Sequence, residues 1–329
     1  MAEAGLPEWK RRPEGGGRFG VWLIGAIARY GGRTVARLCL YPITLYFLLV
    51  RGPERRASRA WLRRAADPSA GWRAVARHIH TFAATILDRV FLLGGRLHHF
   101  DIRVHGLPAL EALLDAGRGA LLFGSHLGSF DALRVLSRRR PGLKLRIVLD
   151  RGQNPVLTSV FDALDPDLAA GVIDGGQPGP AIALQIQQAL QEGALVALLV
   201  DRAQPHEDTV AVPFFGAPAR LPLTPWRLAL ALRAPVLLCF GLYRGGNRYE
   251  LHFEPFADPR GEVPPRDRRD AHVRAQAAAY AARLEHHARG APYNWFNFYD
   301  FWNEESDDAA PHSAPPGAAA GRRAAVRRG

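Results

Sequence analysis

The chain has 329 residues, 48% of them hydrophobic, enough to bury one large core or two small ones. Its 43 lysines and arginines against 31 acids leave a net charge of +12, which points to an anionic partner: nucleic acid, an anionic membrane surface, or an acidic protein or substrate. Zinc-finger spacing, RNP-like aromatics and a basic heptad helix are missing, which ranks nucleic acid below the other two, and the distant Cys39 and Cys239 in apolar runs argue against a disulfide framework and imply a reducing, cytoplasmic setting.

Residues 1–17 are polar and Gly-rich and read as disordered. Residues 18–56 read as a membrane-associated anchor. The stretch from Phe19 to Val50 is apolar but interrupted by Arg29, Arg33 and Arg37, and its uninterrupted part, Leu38–Val50, is shorter than the roughly 20 residues a spanning helix needs. No small-residue cleavage site follows it, only Arg51-Gly52-Pro53 and then Arg55-Arg56, so it is not a cleaved signal. Two membrane readings stay open: a helix in the interface with arginines reaching lipid phosphates, or an inserted anchor starting near Tyr30. An ordinary buried helix is the bland alternative.

Ala60–Leu93 repeats apolar residues at three- and four-residue steps and predicts helices. His99–His105 alternates as a strand, and Pro108–Ala116 is a short helix opened by proline and closed by Gly117. Strands are expected at Gly119–Phe123, Leu143–Leu149, Gly171–Ile173, Ala194–Val200, Thr209–Phe215, Val236–Tyr243 and Tyr249–Phe253. Between and after them, helices are expected from Phe130, from Val156, over Pro180–Gln191, around Pro225–Leu232 and over Asp270–Arg289. The alternation predicts a layered α/β domain with a mainly parallel or mixed sheet over residues 57–303. Residues 304–329 read as a disordered basic tail.

In such sheets, polar residues at the carboxyl ends of strands mark the site. Three strands here end in His126, Arg151 and Asp201-Arg202. His126 falls in a strand-to-helix turn with Asp131 in the first turn of the following helix. From there a carboxylate reaches back to one imidazole nitrogen and frees the other to accept a proton. Gly124 and Gly128 leave room for a substrate beside it. A histidine that merely caps the turn has the same local pattern. The pairs His78/His80, His98/His99 and His286/His287 join no further ligands at recognisable metal spacing, so no metal and no cofactor is expected.

The segment His126-Leu-Gly-Ser-Phe-Asp131 resembles the His-x4-Asp motif of the lysophospholipid acyltransferase superfamily. Arg151-Gly-Gln-Asn154-Pro155, Asp201 and Val212-Pro-Phe-Phe-Gly216-Ala-Pro218 are similar to blocks of its lipid A late-acyltransferase branch, as is the apolar, basic-flanked N-terminus, so that the likeness covers roughly residues 18–300. The chain departs from that branch in three places: Arg202 stands where Gln is usual, no Pro-Glu-Gly block is present, and Asn294–Trp302 replaces the usual ending. That aromatic run is either a clasp on the domain or part of a lipid pocket.

The resemblance implies an acyltransferase domain on the cytoplasmic face of an inner membrane. It would move a fatty acyl group from an acyl carrier protein or coenzyme A thioester to a hydroxyl or amine of a membrane lipid or lipid precursor. His126 would be the general base and Asp131 its orienting partner, with amides of the Gly124–Gly128 turn or Arg151 stabilising the oxyanion. Ser125, Gly128, Arg151, Asn154, Asp201, Arg202, Phe215 and Gly216 would line the substrate site. The basic run Arg134, Arg138, Arg139, Arg140, Lys144, Arg146 would dock an acidic carrier protein. The rival reading is a non-catalytic, lipid-binding protein of the membrane surface; a serine hydrolase is the weaker alternative, because the G-x-S-x-G elbow is missing and Ser125 precedes the histidine.

Overall fold

The computed structural model describes residues 32–204, 207–258 and 263–302, with the side chains of 137–139 left undescribed. The expected disordered termini, and the anchor before Gly32, lie outside the described residues. Four helices lead in: α1 (Gly32–Leu38), α2 (Leu40–Val50), α3 (Gly52–Ala65) and α4 (Trp72–Leu93). Then come β1 (Asp101–His105), α5 (Leu107–Asp115) and β2 (Ala120–Gly124). A 3-10 turn (Phe130–Leu133) leads into α6 (Arg134–Arg139) and β3 (Leu145–Leu149). After α7 (Pro155–Leu164), α8 (Pro166–Ala170) and β4 (Val172–Asp174) come α9 (Gly179–Gln191) and β5 (Leu195–Leu199). The hairpin β6 (Thr209–Phe214) and β7 (Ala217–Pro222), α10 (Thr224–Leu232), β8 (Val236–Tyr243), β9 (Arg248–Ala257) and α11 (Arg269–Gly290) complete the domain.

Proline decides several helix starts. Pro53, Pro108, Pro155, Pro166, Pro180 and Pro225 all sit at the first or second helical position, where a missing N–H costs nothing and φ is already helical.

The sheet has seven strands in the order β1-β9-β8-β2-β5-β3-β4. Strands β2, β3, β4, β5 and β8 run parallel, while β8 and β9 pair antiparallel and β1 runs parallel to β9. Every residue of the central β2 is buried, because the period-2 alternation of a strand feeds two cores at once. Leu121 and Phe123 join Leu238, Phe240 and α11 on one face. Ala120 and Leu122 join Leu237, Cys239 and α4 on the other. Burying each such large side chain is worth about 1.5–3 kcal/mol, so this strand is firmly held, and it ends at the candidate site.

The N-terminal arginines behave differently from the expectation of phosphate contact. Arg33 forks onto the fully buried Asp88 at 2.8 and 2.9 Å, and Arg37 donates to the Tyr243 hydroxyl at 3.1 Å. A buried carboxylate needs a compensating cation, so these two arginines tie α1 to α4 and the sheet. The opposite face carries Leu38, Tyr41, Leu45 and Leu49, all exposed. Gly32–Val50 is also the one helical stretch among the described residues long and apolar enough to cross a membrane.

Candidate active site

The site starts from a backbone constraint. After β2 the chain must pass directly under β8. Gly128 adopts φ +80°, and a Cβ there would lie 2.0 Å from the Gly241 carbonyl oxygen; at Gly241 a Cβ would lie 2.1 Å from Ser129 O. Only glycine on both sides permits this approach. A Cβ at Gly124 would meet the Phe130 ring at 2.5 Å. The room that both glycines make is therefore taken by protein, not left for a substrate.

This turn delivers His126 onto the end of β5. His126 Nδ1 lies 2.8 Å from Asp201 Oδ1, and its backbone N–H donates to Asp201 Oδ2 at 3.0 Å. An ionised carboxylate only accepts, so Nδ1 carries the proton and Nε2 is left with a free lone pair. Asp201 is fully buried, whereas the His126 side chain is 27% exposed and thus reachable. Burial alone would raise the Asp201 carboxyl, but His126 and Arg202 outweigh it and hold the group well below the usual carboxylate range. For His126, burial first and the Arg202 cation second lower the proton affinity. Asp201 opposes them, Arg89 adds to them, and the net direction is down. The result is a neutral, oriented imidazole near neutral pH.

Asp131 is not the partner of His126. It accepts from Arg89 Nε at 2.8 Å and lies 3.4 Å from Ser129 Oγ. The reason is local: Phe130–Leu133 winds as a 3-10 turn, and Asp131 there meets Arg89 on α4, while β5 places Asp201 beneath the imidazole. Sequence reasoning included Asp201 in the site without seeing that it holds the ring. Three amides of the proposed turn, and that of Ser129 after it, are likewise engaged. His126 N goes to Asp201, Leu127 N to Ser125 Oγ, Gly128 N to Asn294 O and Ser129 N to Gly241 O. They are not available to an oxyanion.

The C-terminal aromatic run closes over this turn as a clasp. Phe296 N donates to His126 O at 2.8 Å, and Asn297 Nδ2 donates to Asp201 Oδ2 at 3.0 Å. Arg202 Nε donates to Asn297 Oδ1 at 2.6 Å and its Nη2 to Phe296 O at 3.3 Å. Behind them Trp295, fully buried, stacks on Trp61 at 4.9 Å. His78, buried between Ser58 and the Trp295 carbonyl, holds the run to α4; burial lowers it to about 4, so it is neutral. Asn297 was missed in the sequence because only the tertiary fold brings it to Asp201.

The other expected site residues lie elsewhere. Arg151, at the end of β3, donates to Ala169 O at 2.6 Å and through its backbone to Asp174. Asn154 caps the turn before α7 by donating to Asp150 O. Phe215 and Gly216, with φ 50° and 77°, form the two-residue turn of the β6–β7 hairpin. The Phe215 ring packs edge-on against Trp61, and its N–H donates to Glu285. In the basic run, Arg134 pairs with Asp165 and Arg140 with Asp115, both at 2.6 Å, while Lys144 and Arg146 lie 4.0 and 3.8 Å from Glu192. The side chains of Arg138 and Arg139 are outside the description.

A cavity of about 100 Å³ opens beside the turn between α4, α7 and the sheet. It is lined by Phe130, Leu133, Ile147, Leu157, Phe161 and Leu199 together with Arg89 and Asp131.

The family model of bacterial lipid A biosynthesis acyltransferases matches residues 75–304. The phosphatidylinositol mannoside acyltransferases of two Mycobacterium tuberculosis strains are each 27% identical to this chain over 205 residues, which is 61% of it and 60% of each of them. The chain thus spans about 60% of the length of the curated relatives it matches. The match over residues 75–304 takes in the whole sheet, the His126–Asp201 pair and the clasp over it, and on that ground this chain belongs to the bacterial lipid A biosynthesis acyltransferase family.

Proposed function

We propose that this protein transfers a fatty acyl group from an acyl carrier protein or coenzyme A thioester to a hydroxyl or amine of a membrane lipid or lipid precursor. The observation that carries this reading is the His126–Asp201 pair, with Nε2 free and the ring partly exposed. His126 Nε2 takes the proton from the acceptor O–H or N–H as that atom attacks the thioester carbonyl. The tetrahedral intermediate collapses, the C–S bond breaks, and the imidazolium returns the proton to the leaving thiolate. Asp201 holds the tautomer and stabilises the imidazolium.

Arg89, fixed by Asp131 and lining the apolar cavity, supplies a cation for the oxyanion or an acceptor phosphate. The cavity suits part of the acyl chain. Thiol release from purified protein, with both thioester classes and bacterial lipid extract as acceptor, tests the activity. No release above that of His126→Asn with either donor would overturn it.

Arg202 supplies a second expectation, because its charge lowers the proton affinity of His126. The groups around that imidazole are Asp201 and Arg202 from the end of β5, Arg89 with Asp131, and Tyr280 of α11 behind the turn. Below the pKa of His126 the base is protonated and turnover falls. In Arg202→Gln the acid limb of kcat/KM should move up in pH, toward the ordinary histidine value of about 6.5. Arg202→Lys should stay nearer the wild type. An unmoved limb in Arg202→Gln would remove Arg202 from the electrostatics of the site.

The acceptor is a lipid, so the site must meet a membrane. Leu38, Tyr41, Leu45 and Leu49 form one exposed stripe along α1 and α2, and Trp72 at the start of α4 is exposed as well. With Arg33 and Arg37 turned inward, this segment lies along the membrane surface, on the cytoplasmic face of the inner membrane. Replacing Tyr41, Leu45 and Leu49 by glutamate should weaken co-sedimentation with anionic vesicles by about tenfold or more, given about 1.5–3 kcal/mol per large side chain buried. Unchanged vesicle binding would show that this face is not the docking surface.

A further inference from the structure

We propose that the outer edge of the sheet carries a site for a divalent transition metal of the zinc class, made by His105, Glu250 and His252. This goes beyond the acyl-transfer reading and is independent of it. The parallel pairing of β1 and β9 sets His105 directly opposite His252, and Glu250 lies two residues back on the same face of β9. One ligating atom from each residue lies within 4.8 Å of the others. The two imidazoles lie face to face, 4.6 Å between centroids and 12° from parallel.

Two imidazoles and a carboxylate are the donor set of an open zinc site, whose fourth position water fills. In a tetrahedral site with bonds of about 2.0–2.1 Å, donor atoms lie roughly 3.3 Å apart. His252 Nε2 and Glu250 Oε2 are 3.7 Å apart, beyond a hydrogen bond and close to that bite.

His252 Nε2 is buried and has no hydrogen-bond partner, which is the second, independent observation. Buried imidazole nitrogens are normally satisfied, and a metal would satisfy this one. The surroundings hold the ligands in place. Gly106, directly after His105, has φ +74°, and a Cβ there would lie 1.9 Å from the Phe253 carbonyl oxygen, so the chain at His105 is pinned against β9. Arg244 Nε donates to Glu250 Oε2 at 2.8 Å and so orients the carboxylate that would ligate the metal. His287 stands 4.9 Å behind His252 but donates to Glu254, so it supports the site without entering it. A bound ion would fasten the edge strand β1 to β9. The sequence hid this site because its ligands come from two distant strands rather than from one spaced motif.

Full-length protein, freed of any affinity tag, stripped with chelator and dialysed, would be titrated with zinc chloride by calorimetry and its melting temperature followed. Wild type should bind zinc and melt higher with it. His105→Asn, an exposed edge position that leaves the core untouched, should weaken that binding by about tenfold or more, as should Glu250→Gln and His252→Asn. His98→Asn, from the histidine pair before β1, should bind as wild type does. Absence of zinc binding in the wild type, or unchanged affinity in His105→Asn, would overturn the proposal.

Discussion

His126→Asn should lose acyl transfer by about 10²–10⁴-fold while melting close to the wild type. The asparagine amide sits near the position of Nδ1 and still donates to Asp201, so the buried carboxylate keeps a partner, but nothing replaces the lone pair of Nε2. His126→Ala removes both. It should show the same catalytic loss and in addition a lowered melting temperature, because Oδ1 of the fully buried Asp201 loses its hydrogen-bond donor, a cost of about 1–3 kcal/mol. Steady-state thiol release together with thermal denaturation checks the pair. Transfer by His126→Asn within tenfold of wild type would end the general-base role.

Asp201→Asn and Asp131→Asn should separate, although both are single carboxylate-to-amide changes beside the same turn. Asp201 fixes the tautomer of His126 through Nδ1, so its amide should cost about 10³–10⁴-fold in kcat, as expected when an orienting carboxylate is replaced by its neutral isostere. The shape is kept and Asn297 remains beside it, so the fold should persist. Asp131 instead neutralises Arg89. Its amide should cost about 1.5–3 kcal/mol of stability, the value of a hydrogen bond to a charged group, and should affect turnover only through the position of Arg89. Measuring kcat, KM and the melting temperature of both variants decides it. A kcat loss in Asp131→Asn equal to that in Asp201→Asn, at unchanged stability, would restore the short-range pair.

Much of the fold was legible in one dimension. Leu121 and Phe123 alternate with Ala120 and Leu122, a strand signal that needs no partner to be read, and proline marked the starts of α5, α7, α9 and α10 within a residue or two. The hairpin strand β7 went unread, because Ala217–Pro222 has two prolines and becomes a strand only by pairing with β6. His126 could be singled out as the candidate base because it follows a buried strand at a glycine-flanked turn.

Its partner could not be found in the same way. A carboxylate five residues on is the natural choice by spacing, yet it turns to Arg89. The carboxylate that reaches the imidazole arrives from β5, which the sheet places next to β2. The same holds for Asn297, which only the closing clasp brings to Asp201, and for Arg33 and Arg37, which a buried Asp88 draws inward from an apolar helix. By itself the sequence determined where strands, turns and helix starts fall, since alternation, glycine and proline act over a few residues. Which charge meets which was decided by tertiary structure alone, because a buried carboxylate takes whichever donor the packing of distant strands brings within reach.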